Sequence, residues 1–128
     1  MVDKDLLSTQ EARALVRAAQ KAQAEFAQPG QERLDALVKA LAQAASAQAE
    51  SLAALAVEET GFGKVQDKKI KNIVASEKLY DAIKDMKTIG VLNEDKAHKL
   101  MEIAVPVGVI AGIIPSTNPT STVIYKSM

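Results

Sequence analysis

One run of the chain narrows the folds open to it: Val105-Pro106-Val107-Gly108-Val109-Ile110-Ala111-Gly112-Ile113-Ile114-Pro115-Ser116-Thr117-Asn118-Pro119-Thr120. Its first part is apolar, rich in β-branched residues and bounded by prolines, which is how a strand buried on both faces of a parallel sheet reads. A polar, proline-framed turn follows, and Ser121-Thr122 open another apolar segment. Strand, tight turn and helix start make the first half of a nucleotide-binding βα unit, whose ligand sits at the strand's carboxyl end. A buried parallel strand needs neighbours, and the rest of the sequence offers almost none.

What precedes this run reads as helices and a hairpin. Ser8 and Glu11 have capping-box spacing, so a first helix is expected from near Thr9. Ala12, Leu15, Val16, Ala19, Gln23 and Phe26 then recur at helical period until Gln28-Pro29-Gly30 stops the helix. A second helix is expected from about Gln31, with a stripe of Leu34, Leu37, Val38 and Leu41; the alanine-rich stretch beyond it either runs on or breaks near Ser46 to Ser51. Gly61-Phe62-Gly63-Lys64 lacks the spacing and the following hydroxyl of a phosphate loop, so a glycine C-cap with Phe62 tucked against it is the better reading. A third helix is expected over Val65 to Asp85 with Ile70, Ile73, Val74, Tyr80 and Ile83 inward, and with Lys68, Lys69 and Lys71 as a solvated face. Thr88–Leu92 and Leu100–Val105, separated by polar Asn93 to Lys99, then suggest a β-hairpin with a long loop.

Composition removes several classes of function. Sixteen basic and sixteen acidic side chains cancel, and only two Tyr, two Phe and no Trp are present, so nucleic-acid binding lacks both a basic face and stacking platforms. No apolar run approaches the roughly 20 residues of a membrane span. A soluble, cytoplasmic protein is the expectation. Without cysteine there are no disulfides and no thiolate metal sites. The single histidine, His98, sits in the charged hairpin loop and reads as a surface residue, and no His–carboxylate spacing suits a metal.

Chemistry is concentrated in Pro115-Ser116-Thr117-Asn118-Pro119-Thr120-Ser121-Thr122, where five hydroxyls and an amide crowd the end of a strand. A rigidly held amide there is able to donate to a developing oxyanion, the task in which preorganised donors matter most. The same residues also suit a stiff turn whose Asn and Ser/Thr cap the next helix.

A resemblance ties these segments together. Glu59-Thr60-Gly61-Phe62-Gly63-Lys64-Val65-Gln66-Asp67-Lys68, Lys71-Asn72 and the run from Pro106 to Thr122 resemble the aldehyde dehydrogenase superfamily. The match is narrower to CoA-acylating acetaldehyde dehydrogenases and the aldehyde dehydrogenase half of bifunctional aldehyde-alcohol dehydrogenases, to which Lys84-Asp85-Met86-Lys87-Thr88-Ile89-Gly90-Val91-Leu92 is also similar. The resemblance covers nearly the whole chain and implies a partial α/β fold: N-terminal helices, a β-hairpin and the first strand of a Rossmann-like NAD domain. Residues 8–86 would be helical, 87–105 a hairpin and oligomerisation element, and 106–128 the first βα of the cofactor domain. It further implies NAD as cofactor, CoA as co-substrate, a small aldehyde such as acetaldehyde, and a homo-oligomer.

Carried over by position, Ile114, Pro115, Ser116 and Thr117 would border the NAD and substrate channel. The hydrolytic branch has Pro-Trp-Asn-Phe-Pro here, its Asn stabilising the oxyanion. This chain keeps the proline spacing but moves the amide to Asn118, leaving Asn118 and Thr117 as alternative donors. The family's nucleophilic cysteine has no counterpart in the 128 residues, so the expectation is an N-terminal piece, inactive alone. The alternative is a free-standing helical interaction module built on residues 8 to 86.

Overall fold

The computed structural model describes residues 3–27 and 29–128. Met1, Val2 and Gln28, the first residue of the expected Gln28-Pro29-Gly30 stop, lie outside the described residues. The elements in order are α1 (Lys4–Glu25), α2 (Gln31–Ala47), α3 (Ala49–Thr60), α4 (Val65–Ile73), a π-helical turn (Val74–Lys78), α5 (Leu79–Ile83), β1 (Gly90–Asp95), β2 (Leu100–Ala104) and α6 (Pro119–Ser127). They fall into two compact units: Met1–Gly30 with Ile89–Ala111, and Gln31–Thr88 with Gly112–Met128.

In the first unit, α1 starts before the expected position, with Asp3 as N-cap. Ser8 is no cap: Ser8 Oγ donates to Lys4 O at 3.1 Å and Thr9 Oγ1 to Asp5 O at 2.9 Å, one turn back inside a helix already under way. Its apolar stripe has helical period but no buried member, and Leu15 is 71 % exposed. β1 and β2 form the expected hairpin, antiparallel, with Gly90 opposite Ala104 and Asp95 opposite Leu100. The register slips between Val91 and Asn93, a bulge at Leu92. The polar stretch expected to be loop contributes Asn93, Glu94 and Asp95 to β1, which shortens the connection to residues 96–99. Asp95 closes that connection, accepting from the His98 backbone N–H at 3.0 Å and meeting His98 Nδ1 at 2.7 Å. These two bonds hold the Asp95 carboxyl below the usual carboxylate range.

The expected strand over 107–114 has no ladder partner among the described residues. Val107 is 86 % and Ile113 88 % exposed. The sequence pattern asks for a sheet on either side, and the only sheet among the described residues is the hairpin itself.

The second unit has a core of small side chains. Ala42, Ala45, Ala49, Ala53, Ala56 and Ala75 are buried with Ile124, while Leu37 and Leu55 remain exposed. Of the stripe expected of α2, Leu34, Val38 and Leu41 are half-buried, while the fully buried positions go to alanines, which let α2, α3 and α4 approach closely. α2 and α3 break at Gln48, within the expected window. Gly61 ends α3 in the left-handed region (φ 70) with its N–H on Val57 O at 2.8 Å, as expected of a glycine cap. Phe62 stays exposed beside it rather than tucked in.

The helical stretch expected over 65–85 forms, with Ile73, Tyr80 and Ile83 half-buried as expected but with other residues at its most buried positions. Ile70 and Val74 are exposed, whereas Lys68, Asn72, Ala75 and Ser76 are buried. Ser76 Oγ donates to Asn72 O at 2.7 Å and approaches Ile73 O at 3.3 Å. A hydroxyl bonding back to these carbonyls competes with the helix ladder, which accounts for the π turn opening here.

Candidate functional site

The residues that come together are on α4 and on the turn leading into α6. Positions 68, 72 and 76 recur on one helical face, with Lys71 beside them. Gly63 (φ 78) makes room for the first of these: a Cβ there would meet Lys68 Cε at 3.4 Å. The Lys68 side chain therefore lies along the loop ahead of its own helix. Only 5 % exposed, it donates from Nζ to Thr117 O at 2.7 Å. Lys71 Nζ donates to Asn118 Oδ1 at 2.9 Å. Asn72, fully buried, donates from Nδ2 to Ala49 O at 3.0 Å and accepts from Thr120 Oγ1 at 2.9 Å, joining α3, α4 and α6 through one side chain.

Three grips, on 117, 118 and 120, thus fix the turn. Of the lysines expected to form a solvated face, Lys71 is exposed and Lys69 half-buried, whereas Lys68 is buried on the turn; Lys71 reaches the turn from the surface, and Lys69 pairs with Glu50 at 2.7 Å. That exposed pair draws the Glu50 carboxyl below its usual range. Among the described residues no carboxylate lies within ion-pair distance of Lys68 or Lys71. The turn is consequently faced by two ammonium groups whose charge is not locally cancelled.

The expected site residues separate by role. Asn118 occupies the N-cap position of α6, yet its side chain makes no capping hydrogen bond. Its backbone carbonyl accepts from Thr122 N at 3.2 Å, and its amide oxygen is on Lys71 instead. Thr117 is held through its carbonyl, and its hydroxyl accepts a long 3.4 Å contact from Asn118 Nδ2. Ile114, Pro115 and Ser116 are exposed and make no hydrogen bond among the described residues, so their backbone groups and the Ser116 hydroxyl are open to a ligand. Of the crowded hydroxyls, Thr120 is turned inward to Asn72 and is structural. Ser121 and Thr122 line an open groove of about 630 Å³ whose walls include Ile70, Val74, Tyr125 and Asn118. Pro119 starts α6 in a preset helical φ, and the positive end of the helix lies at Asn118.

Sequence reasoning missed Lys68, Asn72 and Ser76. Their signal was a polar residue every four positions on a helix otherwise read by its isoleucines. His98 pairs with Asp95 in the hairpin. No group of three or more metal-ligating side chains occurs among the described residues. Nor is any helix there long and apolar enough to cross a membrane.

A family model described as "Aldehyde dehydrogenase family" matches residues 3–128. A solved structure of a probable aldehyde dehydrogenase from Listeria monocytogenes superposes with a TM-score of 0.94 at 60% identity, covering 98% of this chain and 28% of that one. An acetylating aldehyde dehydrogenase from Geobacillus thermoglucosidasius gives 0.94 at 50% identity, covering 99% and 28%. Among curated proteins, the bifunctional aldehyde-alcohol dehydrogenase of Escherichia coli is 54% identical over 35 residues, which is 27% of this chain and 4% of that protein. The chain therefore spans little more than a quarter of the solved relatives it superposes on.

Proposed function

The chain belongs to the aldehyde dehydrogenase family, and from that premise we propose that it supplies the oxyanion-binding turn and one border of the cofactor channel in an NAD-dependent, CoA-acylating aldehyde dehydrogenase. The reaction takes a small aldehyde, such as acetaldehyde, to its acyl-CoA. A cysteine thiolate adds to the carbonyl, hydride leaves the resulting thiohemiacetal to give a thioester, and the CoA thiol displaces the cysteine. NAD, when bound, takes the hydride. This chain contains no cysteine, so its share of the chemistry is to hold the carbonyl oxygen as it becomes negative.

The observation that carries the reading is the turn itself. Buried Lys68 on the Thr117 carbonyl and Asn72 on Thr120 keep it from relaxing, and the α6 N-terminus together with two uncancelled ammonium groups makes its surroundings positive. A site preset for negative charge needs no reorganisation when that charge develops. Either Asn118 or Thr117 is placed to donate to it. Ile114, Pro115, Ser116 and Thr117 would border the cofactor; the exposed, unbonded backbone of the first three suits close approach of a ligand. Residues 106–128 then form the first βα of the cofactor domain, and 87–105 an oligomerisation element of a homo-oligomer in the cytoplasm.

The test is acyl-CoA and NADH formation from acetaldehyde, CoA and NAD by the catalytically complete enzyme carrying this chain. Replacing both donors (Thr117→Val with Asn118→Ala) is expected to cut kcat about 10²- to 10³-fold with a modest change in KM. A double variant that turns over like the wild type rejects the oxyanion role for this turn.

A further inference from the structure

Lysine offers three N–H donors and no acceptor. Its contact with an asparagine side chain therefore settles which end of the amide faces it, a choice otherwise assigned only from the surrounding network. With Lys71 Nζ 2.9 Å from Asn118 Oδ1, the carbonyl end of the amide points to α4 and the NH₂ end points away from it. That NH₂ has one partner among the described residues, Thr117 Oγ1 at a long 3.4 Å, which leaves a second N–H uncommitted. A cation on the amide oxygen also withdraws electron density from the nitrogen and makes the N–H a stronger donor. Thr117 offers only a hydroxyl that rotates to suit its neighbours, a poorer preset donor than a planar amide clamped at its far end.

We infer that Lys71 is a positioning residue for the reaction: by holding the Asn118 carbonyl oxygen it presents the Asn118 amide N–H to the substrate oxyanion, and so makes Asn118 rather than Thr117 the donor. This deepens the proposed function and rests on it. Lys68 sets the backbone of the turn, and Lys71, one helical turn along the same face, sets the side chain. Lys71 is exposed and unpaired with any carboxylate among the described residues, so little of the unit's packing depends on it.

The test uses the complete enzyme with Lys71→Met, which keeps the length of the side chain and removes the donors, and Lys71→Arg, which restores them. K71M is expected to lower kcat about tenfold, with the aldehyde KM within about twofold, because a misoriented donor costs the transition state more than substrate binding. K71R should recover most of that loss. In an Asn118→Ala background K71M should add almost nothing, whereas in a Thr117→Val background its tenfold cost should persist. A second readout, independent of turnover, is the Asn118 side-chain amide ¹⁵N resonance of the complete enzyme, which should shift in K71M and return in K71R. Wild-type kcat in K71M beside an impaired N118A overturns the inference, and so does an amide resonance that ignores K71M. An N118A enzyme as fast as wild type beside a slow Thr117→Val overturns it too, yet leaves the oxyanion turn standing. Only a Thr117→Val/Asn118→Ala double variant as fast as wild type removes the proposed function as well.

Discussion

The two units use apolar residues in opposite ways. Gln31–Thr88 with Gly112–Met128 buries alanines, one isoleucine and three polar side chains; in Met1–Gly30 with Ile89–Ala111 no described residue is buried. Yet the second of these also carries large apolar side chains in its helix and strands, with Leu15 and Val16 in α1 and Leu100, Met101 and Ile103 in the hairpin exposed. A periodic apolar pattern thus announces a face that wants covering without saying what covers it. Burial follows instead from whether small side chains allow backbones to approach, as the alanines of α2 and α3 do.

The widest gap between the units should appear on removing Asn72. Asn72→Ala removes the donor that ties the Ala49 carbonyl to α4, leaves the part-buried Thr120 hydroxyl without its acceptor and opens a void where a fully buried side chain stood; an unpartnered polar group alone costs about 1–3 kcal/mol. A destabilisation of about 2–4 kcal/mol by urea or thermal unfolding is expected, against less than about 0.5 kcal/mol for Leu15→Ala in exposed α1. Equal effects at the two positions would erase the distinction between a packed and an open unit.

Ala53 sharpens the same contrast from the other side. It has no exposed surface, so Ala53→Leu must push helices apart, at a cost of about 1–3 kcal/mol, whereas Ala12→Leu on α1 should be close to neutral. If Ala53→Leu raises the melting temperature, the alanine core is loosely packed, and small side chains are not what brings α2, α3 and α4 together.

How far the sequence displayed this arrangement depends on which residue is asked. Gly61 was legible because a left-handed helix end has few other occupants, and the hairpin was legible because its two runs flank a polar connection. The helix after Pro119 was legible from proline and hydroxyls together. Lys68, Asn72 and Ser76 were not, because a lysine or an asparagine on a helix is ordinarily solvated, and only the tertiary approach of the 117–120 turn gives the first two their partners. The same logic hid the alanine core behind the leucine stripe: pattern ranks residues by hydrophobicity, while close helix packing selects them by size. The run 107–114 is a different case, without a ladder partner among the described residues. Its composition reads as a strand, but a strand exists only with a neighbour to bond.

Gly61→Ala gives a smaller effect, confined to the packed unit. At φ 70 a Cβ is strained although nothing lies within 4 Å of it, so the cost is conformational, about 1 kcal/mol, with no loss of buried contacts. Asn at the same position should cost less, since its side chain tolerates the left-handed region. A Gly61→Ala protein as stable as the wild type would mean that the end of α3 unwinds freely and does not help deliver Gly63 and Lys68 to the turn.

The faintest expected effect belongs to the open unit, where the surface hydrogen-bonded pair of Asp95 and His98 is weak. The Asp95 carboxyl is lowered chiefly by its hydrogen bond with the His98 side chain and then by the His98 backbone N–H. A group whose folded value is depressed adds stability above its unfolded value, about 3.9, and loses it as pH falls from there through the lower folded value. The His98 amide proton, followed by NMR from pH 6 downward, should therefore titrate with a midpoint below about 3.9 and should stop titrating in Asp95→Asn. The hairpin ladder, which depends on backbone bonds between β1 and β2, should persist across that window. A midpoint at or above the ordinary aspartate value would mean that the 96–99 connection is not closed by Asp95. If the whole ladder melted with it, the hairpin would be held by its loop rather than by its strands, and the first unit would owe its order to a single surface carboxylate where the second owes its own to a buried amide.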